Sequence, residues 1–162
     1  MENNKLKLRT FKDTDVELLT TWLNKDYILK WYHDPDDWLE EINGRHDKYS
    51  WIHHFIVMKD DTPIGFCQYY DCYDANDMED WFHVIERGDT CSIDYMIGNP
   101  DYLGRGYGKE IVAQLTKIVK NKEHAREIIV QPEKENFPSN HVLLANDYRY
   151  DEKKQYYSKL LK

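Results

Sequence analysis

The chain has 162 residues, enough for one domain with a substantial core, and its 41% hydrophobic and 14% aromatic content excludes a disordered protein. A net charge of −8 argues against general nucleic-acid or anionic-membrane binding and permits a cationic partner. Because the sequence shows neither an apolar run of about 18 residues nor the apolar core of a signal peptide, we expect one cytoplasmic domain over residues 1–162, as a monomer or homodimer.

The first half of the chain predicts one strand, three helical segments and a hairpin. Lys5–Phe11 alternates apolar and polar residues as a strand does. The hairpin turns at Asp60-Asp61, between strands Trp51–Met58 and Pro63–Tyr70. The helical segments share apolar residues at helical spacing and are Val16–Leu23, Tyr27–Tyr32 and Trp38–Ile42.

An acidic insert, Asp71–Asp89, follows the hairpin and does not resemble a strand. It holds seven acidic residues against one basic residue, Arg87. Carboxylates attract a polyamine, and aromatic faces pack on sugar rings and ammonium groups, so Glu79 and Trp81 are candidates for a cation-binding wall. The alternative is a solvated loop held by apolar anchors.

The second half of the chain predicts a strand, a glycine loop and a helix, followed by shorter elements. The overall order is that of an α/β domain with a mixed sheet. The predicted elements are strand Cys91–Gly98, helix Lys109–Lys120, strand Arg126–Gln131, loop Pro132–Pro138, helix Ser139–Asn146, and strands Tyr148–Tyr150 and Gln155–Leu160.

Asp94 is the candidate catalytic residue. Alternation along the strand puts Ile93 and Asp94 on opposite faces. A carboxylate in mid-strand is costly to bury unless it is paired or functional. It could hold an ammonium group and accept its proton, or it could be a strand-edge aspartate bonded to a loop amide.

The loop Gly104–Gly108 precedes a helix and leaves backbone N–H groups uncovered, which favours an anion site. A Walker loop is excluded because Gly108-Lys109 is followed by Glu110 rather than by a hydroxyl residue. A dinucleotide-binding loop is disfavoured because this loop follows the fourth strand, and the next strand ends in Gln131-Pro132 without an acidic residue.

The loop Tyr102–Gly108, together with Asn136, Ser139 and Leu143-Leu144, resembles the GNAT acetyltransferase superfamily. The resemblance implies a single-domain α/β fold with a mixed, mostly antiparallel central sheet and flanking helices. It also implies acetyl-CoA as cosubstrate, with no metal, and Asp94 as the catalytic residue. The cofactor-binding residues it implies are Met96 and Ile97 for the pantetheine, Leu103, Gly104, Arg105, Gly106, Tyr107, Gly108 and Lys109 for the pyrophosphate, and Asn136 and Ser139 on the other side.

Within that superfamily, Thr21–Asn24, Trp31-Tyr32, Glu79–Phe82 and Ser92–Asp94 are similar to aminoglycoside 6'-N-acetyltransferases. The similarity implies direct transfer to an amine of an aminoglycoside-like polycation, and hence antibiotic resistance. The substrate-binding residues are then Trp31, Tyr32, Asp74, Glu79, Asp80, Trp81 and Asp94. The alternatives are a siderophore or lysine-type N-acyltransferase, a protein N-terminal acetyltransferase and a non-catalytic acyl-CoA-binding protein.

Two further features limit the chemistry. Many family members have a tyrosine as general acid where this chain has Leu143, and neither Tyr148 nor Tyr150 is favoured as its replacement. The three cysteines lack paired spacing and the seven histidines lack metal-ligand spacing, so we expect buried free thiols and no metal site.

Overall fold

The computed structural model describes residues 6–161, in which seven strands form one sheet with helices on both faces. The strands are β1 (Lys7–Thr10), β2 (Ile52–Lys59), β3 (Thr62–Asp71), β4 (Thr90–Ile97), β5 (Glu127–Val130), β6 (Arg149–Asp151) and β7 (Tyr156–Leu160). The helices are α1 (Val16–Leu23), α2 (Asp26–Tyr32), α3 (Pro35–Asn43), the one-turn α4 (Cys72–Ala75), α5 (Tyr107–Ile118) and α6 (Phe137–Ala145). None of these described helices is long and apolar enough to cross a bilayer.

The sheet has the strand order β1-β2-β3-β4-β5-β7-β6. Neighbouring strands are antiparallel except for β4 and β5, which are parallel. The predicted α/β fold with a mixed, mostly antiparallel sheet is therefore confirmed. The one parallel contact lies at the centre of the sheet, after the acidic insert.

Four helix starts precede the predicted ones: α2 begins one residue and α3 three residues earlier, and α5 and α6 each begin two residues earlier. Helix α5 begins at Tyr107 rather than Lys109, because Gly106 takes a left-handed conformation and serves as its N-cap. Helix α6 begins at Phe137 rather than Ser139, since the Asn136 side chain caps it. Pro138 was predicted to end the preceding loop but lies in the first turn, where a residue without a backbone N–H is tolerated.

Alternation along β4 divides the core between the two faces of the sheet, as predicted. Ile93 packs in a cluster with Ile111 of α5 on one face. Met96 packs with Trp22 of α1 and Ile28 of α2 on the other. The even-numbered side chains of β4, including Asp94, therefore lie on the face covered by the N-terminal helices.

A third apolar cluster lies beneath the insert, and the three cysteines are buried and unpaired, as predicted. Burial raises the pKa of each thiol well above its ordinary value. The insert itself starts with α4 and then runs irregularly to β4, so the prediction that it is not a strand is correct apart from Asp71, the last residue of β3.

Candidate active site

The site lies where β4 and β5 separate. The two strands pair only at Thr90 with Glu127 and at Cys91 with Ile128. Beyond Cys91, β4 remains paired with β3 as far as Ile97, so its other edge is open along that length. An open strand edge presents unpaired backbone groups to a ligand that can align with it.

Helix α2 contacts this open edge through two tyrosines. The Tyr32 hydroxyl donates to the Tyr95 carbonyl, and the Tyr27 hydroxyl donates to the carbonyls of Ile97 at 2.7 Å and Gly98 at 3.0 Å. Backbone groups alternate in direction along an antiparallel strand. Tyr95 and Ile97 therefore present their backbones to the open edge, whereas that of Met96 faces β3, where its carbonyl lies close to Gly65. Of the two residues predicted to pair with pantetheine, the structure brings only the Ile97 backbone to the gap.

A cavity of about 470 Å³ adjoins the gap and is strongly acidic. Six carboxylates and eight aromatic side chains line it, and no lysine, arginine or histidine is found among its described lining residues. The carboxylates are Asp37, Glu40, Glu41, Glu79, Asp94 and Glu133. The aromatic residues are Trp31, Tyr32, Trp38, Tyr49, Trp51, Tyr70, Trp81 and Tyr95.

These carboxylates are spread over the walls rather than focused on one point. Within residues 6–161, no three histidine, cysteine or acidic side chains are grouped so that they could hold a metal ion. Glu40 and Glu133 have side-chain partners outside the cavity, the Lys48 ammonium at 3.5 Å and the His33 ring at 2.6 Å. The remaining four face the cavity without an ion-pair partner in the described chain, an arrangement that suits an extended polycation.

Asp94 lines the cavity, and its Oδ2 accepts a 3.0 Å hydrogen bond from the Gln68 side-chain amide. Burial raises the pKa of Asp94 from 3.8 to about 6; the bond from Gln68 opposes this rise and the charge of Glu79 adds to it. A carboxylate with a pKa near the working pH is well suited to accept and release a proton.

Glu41 is the second perturbed carboxyl group. It lies on α3, and burial together with the charges of Asp94 and Glu79 raises its pKa to about 8. The pKa of Glu79 is also raised, chiefly by burial. Carboxylates that raise one another's pKa values are stabilised in their charged form by a bound cation.

The insert supplies one wall of the cavity. The Asn76 side chain closes its first part into a loop by donating to the Val84 carbonyl at 2.8 Å and accepting from the Val84 N–H at 2.9 Å. Within that loop the Trp81 indole donates to Glu79 at 3.2 Å, and both residues line the cavity. Two predicted members of the substrate set are not brought there: Asp74 is paired with Arg87 at 2.7 Å, and Asp80 is exposed and outside the lining.

The glycine loop has the backbone expected of an anion cradle. Gly104 and Gly106 have φ values of 72° and 83°, and a Cβ added at either would meet no atom within 4 Å. No side chain caps the start of α5, so its first N–H groups remain available. None of residues 103–109 lines the acidic cavity, so the predicted pyrophosphate site and the cavity are separate.

Asn136 and Ser139 lie at the start of α6 and line the cavity from the side of β5. The Asn136 side chain accepts from the Ser139 N–H at 3.3 Å, and the Ser139 hydroxyl is 2.7 Å from that of Tyr95. Helix α6 packs on α5, with Val142 beside Gly108. The open edge of β4 thus runs between the glycine loop and the cavity.

None of the tyrosines considered from the sequence is presented as a general acid. Leu143 is fully buried in the core. Tyr148 is also buried, and its hydroxyl bonds to Thr116 at 2.7 Å, while the Tyr150 ring packs edge to face against Tyr157. Two other tyrosine hydroxyls are hydrogen-bonded to predicted cofactor residues: that of Tyr27 to the Ile97 carbonyl and that of Tyr95 to the Ser139 hydroxyl.

Sequence reasoning missed several residues of the cavity. Asp37, Glu40 and Glu41 follow an i, i+3, i+4 pattern that puts them on one face of α3, and this acidic face was a detectable signal. Gln68 was detectable as a polar residue within the apolar run of β3.

Known proteins resemble this chain in sequence and in fold. The profile of the acetyltransferase (GNAT) domain family matches residues 12–155. Aminoglycoside N(6')-acetyltransferase type 1 from Klebsiella pneumoniae is 24% identical over 140 residues, which cover 83% of this chain and 69% of that protein.

Two groups of solved structures share the fold. The aminoglycoside acetyltransferase AAC(6')-Ib, in complex with coenzyme A and kanamycin, superposes with a TM-score of 0.80 at 20% identity, covering 96% of this chain and 95% of that one. Spermidine N-acetyltransferase from Vibrio cholerae, in complex with CoA and spermine, superposes with a TM-score of 0.76 at 15% identity, covering 98% and 97%.

Proposed function

Because the chain belongs to the GNAT acetyltransferase family, we propose that it transfers the acetyl group of acetyl-CoA directly to an amine of an aminoglycoside-like polycation. Both substrates would be bound at once, on either side of the open edge of β4. We assign the reaction to the cytoplasm, because the three cysteines are unpaired and a reducing compartment keeps thiols in that state.

The observation that carries the proposal is the composition of the cavity. Six carboxylates and eight aromatic side chains surround a volume that reaches Asp94, with no cationic side chain among the described lining residues. A polyamine gains Coulomb attraction from the carboxylates, and its sugar rings and ammonium groups pack on the aromatic faces. The relatives found with kanamycin and with spermine act on, or bind, amines of this kind.

Asp94 is the proposed proton acceptor. An amine is mostly protonated at neutral pH and must lose a proton before its lone pair can attack a thioester carbonyl. With a pKa of about 6, Asp94 is largely ionised at pH 7, so it can hold the ammonium and take its proton. The C–N bond then forms, and the C–S bond breaks as the tetrahedral intermediate collapses.

The open edge of β4 is the proposed binding surface for the acetyl end of acetyl-CoA. Backbone N–H groups of Tyr95 and Ile97 face that edge, and such donors stabilise the oxyanion of a tetrahedral intermediate. A free thiol has a pKa of about 8.5, so the thiolate of coenzyme A can leave with little help from a proton donor. We assign no side chain as its general acid.

The glycine loop is the proposed pyrophosphate site, formed by Leu103–Lys109. The space in front of Gly104 and Gly106 is free of protein atoms, and the uncapped start of α5 adds N–H donors and the positive end of the helix dipole. Asn136 and Ser139 would then contact acetyl-CoA from the side of α6.

The test is a thiol-release assay with acetyl-CoA over kanamycin-like aminoglycosides, linear polyamines, lysine and peptides. We expect turnover of aminoglycosides that is lost in Asp94→Asn. If only linear polyamines are turned over, the acceptor is a linear polyamine rather than an aminoglycoside. A reactive lysine or peptide with inert aminoglycosides would contradict the proposal in favour of a siderophore-type or protein acetyltransferase, and acetyl-CoA binding without any turnover would indicate a non-catalytic protein.

A further inference from the structure

Gln68 is a buried polar residue whose surroundings are not explained by the fold alone. It lies directly opposite Asp94 in the pairing of β3 with β4, is only 2% exposed and lines the acidic cavity. Its Nε2 donates to Asp94 Oδ2 at 3.0 Å. It is the neighbour of the proposed proton acceptor on the adjacent strand.

The other end of this amide is unsatisfied. Within residues 6–161, the buried Oε1 of Gln68 has no hydrogen-bond partner. The reverse orientation would set Oε1 against the Asp94 carboxylate, where two acceptors repel, so the bond to Asp94 fixes which way the amide faces. A buried acceptor without a partner is costly in any protein and calls for an explanation.

The next residue in the same row, His54 of β2, does not supply that partner. His54 pairs with Gln68 in the strand register, but its buried Nε2 has no hydrogen-bond partner among the described residues either. Burial and the charge of Arg45 lower the pKa of His54 to about 3, so its ring is neutral at the working pH and presents no cation to Gln68.

We propose that Gln68 binds the acceptor amine together with Asp94: its N–H group orients the Asp94 carboxylate, and its Oε1 accepts a hydrogen bond from the ammonium group that is to be acetylated. This inference rests on the proposed function. An ammonium group has three N–H donors, so it can serve the carboxylate and the amide oxygen at once.

The charged and titratable groups around Asp94 make the role of Gln68 testable by pH. Glu79 of the insert and Glu41 of α3 are coupled to Asp94 by charge. Three tyrosines lie around Asp94 as neutral groups: Tyr32, Tyr70 and Tyr95. No cation within the described chain bonds to Asp94, and the Gln68 bond lowers its pKa. Loss of that bond should therefore raise the pKa of Asp94.

The experiment compares Gln68→Leu and Gln68→Glu with the parent enzyme, using the best amine acceptor from the thiol-release screen. In Gln68→Leu we expect kcat/KM for the amine to fall about tenfold or more, because a hydrogen bond to a charged group is lost. The acid limb of its pH profile should move to higher pH, while KM for acetyl-CoA stays unchanged. Gln68→Glu keeps an oxygen acceptor and adds a charge beside Asp94, so its acid limb should move at least as far.

Gln114→Leu is the matched control. Its amide donates to the Leu6 carbonyl at 2.7 Å and to Glu110 at 3.1 Å, on α5 and away from the cavity. We expect this variant to lose stability but to keep the acid limb of the parent enzyme. A folded Gln68→Leu variant with an unchanged kcat/KM for the amine and an unchanged acid limb would overturn the inference.

A second measurement separates this inference from the proposed function. Carbon-13 NMR titration of the Asp94 carboxyl group needs no substrate, and the titration midpoint should rise in Gln68→Leu even if the parent enzyme acetylates no amine in the screen. An inert parent enzyme would reject the proposed acceptor class. An unchanged midpoint would reject the role of Gln68 in orienting and tuning Asp94.

Discussion

Replacing Asp94 with asparagine should make the protein more stable and, at the same time, nearly inactive. The substitution keeps the shape of the side chain and leaves an oxygen that can accept the Gln68 hydrogen bond. It removes a charge that burial disfavours. Activity should fall by a factor of roughly 10² to 10⁴, the usual contribution of a general base.

The stability gain follows from the pKa of Asp94. Burial raises it from 3.8 to about 6, so the native state favours the protonated form relative to the unfolded chain. This contribution to stability is complete below pH 3.8 and is lost as the pH rises through 6. The full difference corresponds to about 3 kcal/mol, and because Asp94 is partly exposed we expect about 1 to 3 kcal/mol.

Urea unfolding of both proteins at pH 4 and pH 8 measures the effect. At pH 8 the free energy of unfolding of Asp94→Asn should exceed that of the parent protein, and at pH 4 the difference should shrink towards zero. An asparagine variant that is less stable at pH 8 would show that the Asp94 carboxylate is held by favourable contacts, and the reasoning from burial would be refuted. Retained acetylation would reject its role as proton acceptor.

Three further predictions concern other parts of the site. Gly106→Val should abolish acetyl-CoA binding in calorimetry, because a side chain there strains a backbone at φ 83° and fills the open space proposed for the pyrophosphate. Gly88→Val is the control: it lies at φ 84° in equally open space away from the loop, so it should lose stability but still bind acetyl-CoA. Inhibition by a bis-quaternary ammonium compound, whose charge does not titrate, should strengthen from pH 7 to 9 as Glu41 ionises near pH 8; a Glu41→Gln variant with the same pH dependence would contradict this. Asn76→Ala loses two hydrogen bonds to Val84 and should raise KM for the amine about tenfold without changing KM for acetyl-CoA, whereas an equal rise in both would indicate general loosening.

The linear sequence was sufficient for the fold and for the local geometry at Asp94 and at the glycine loop. Alternation put Asp94 on the face opposite Ile93, and the structure has Ile93 packed on α5 while Asp94 opens onto the cavity. The glycine pattern predicted a loop with uncovered backbone N–H groups, and in the structure Gly104 and Gly106 take left-handed conformations there. Both features depend on neighbours within a few residues, since side-chain direction has a period of two in a strand and positive φ values favour glycine.

The contents of the cavity were decided by contacts between distant segments. Asp74 and Glu79 belong to one acidic insert, yet Asp74 turns to Arg87 while Glu79 enters the cavity. Glu41 and Gln68 come from separate elements, and they reach Asp94 through the packing of α3 and the register of β3 on β4.

Contacts between distant segments also decide which residues of β4 turn their backbone groups towards the gap. Whether Met96 or Ile97 faces the gap depends on which edge of β4 pairs with β3 and on where β5 leaves it, neither of which is encoded in the β4 segment alone. The sequence by itself determined what each residue can do and which face of its element it occupies. Only the tertiary structure decided which of those residues share a volume, because charge, burial and hydrogen bonding act between residues that meet in space.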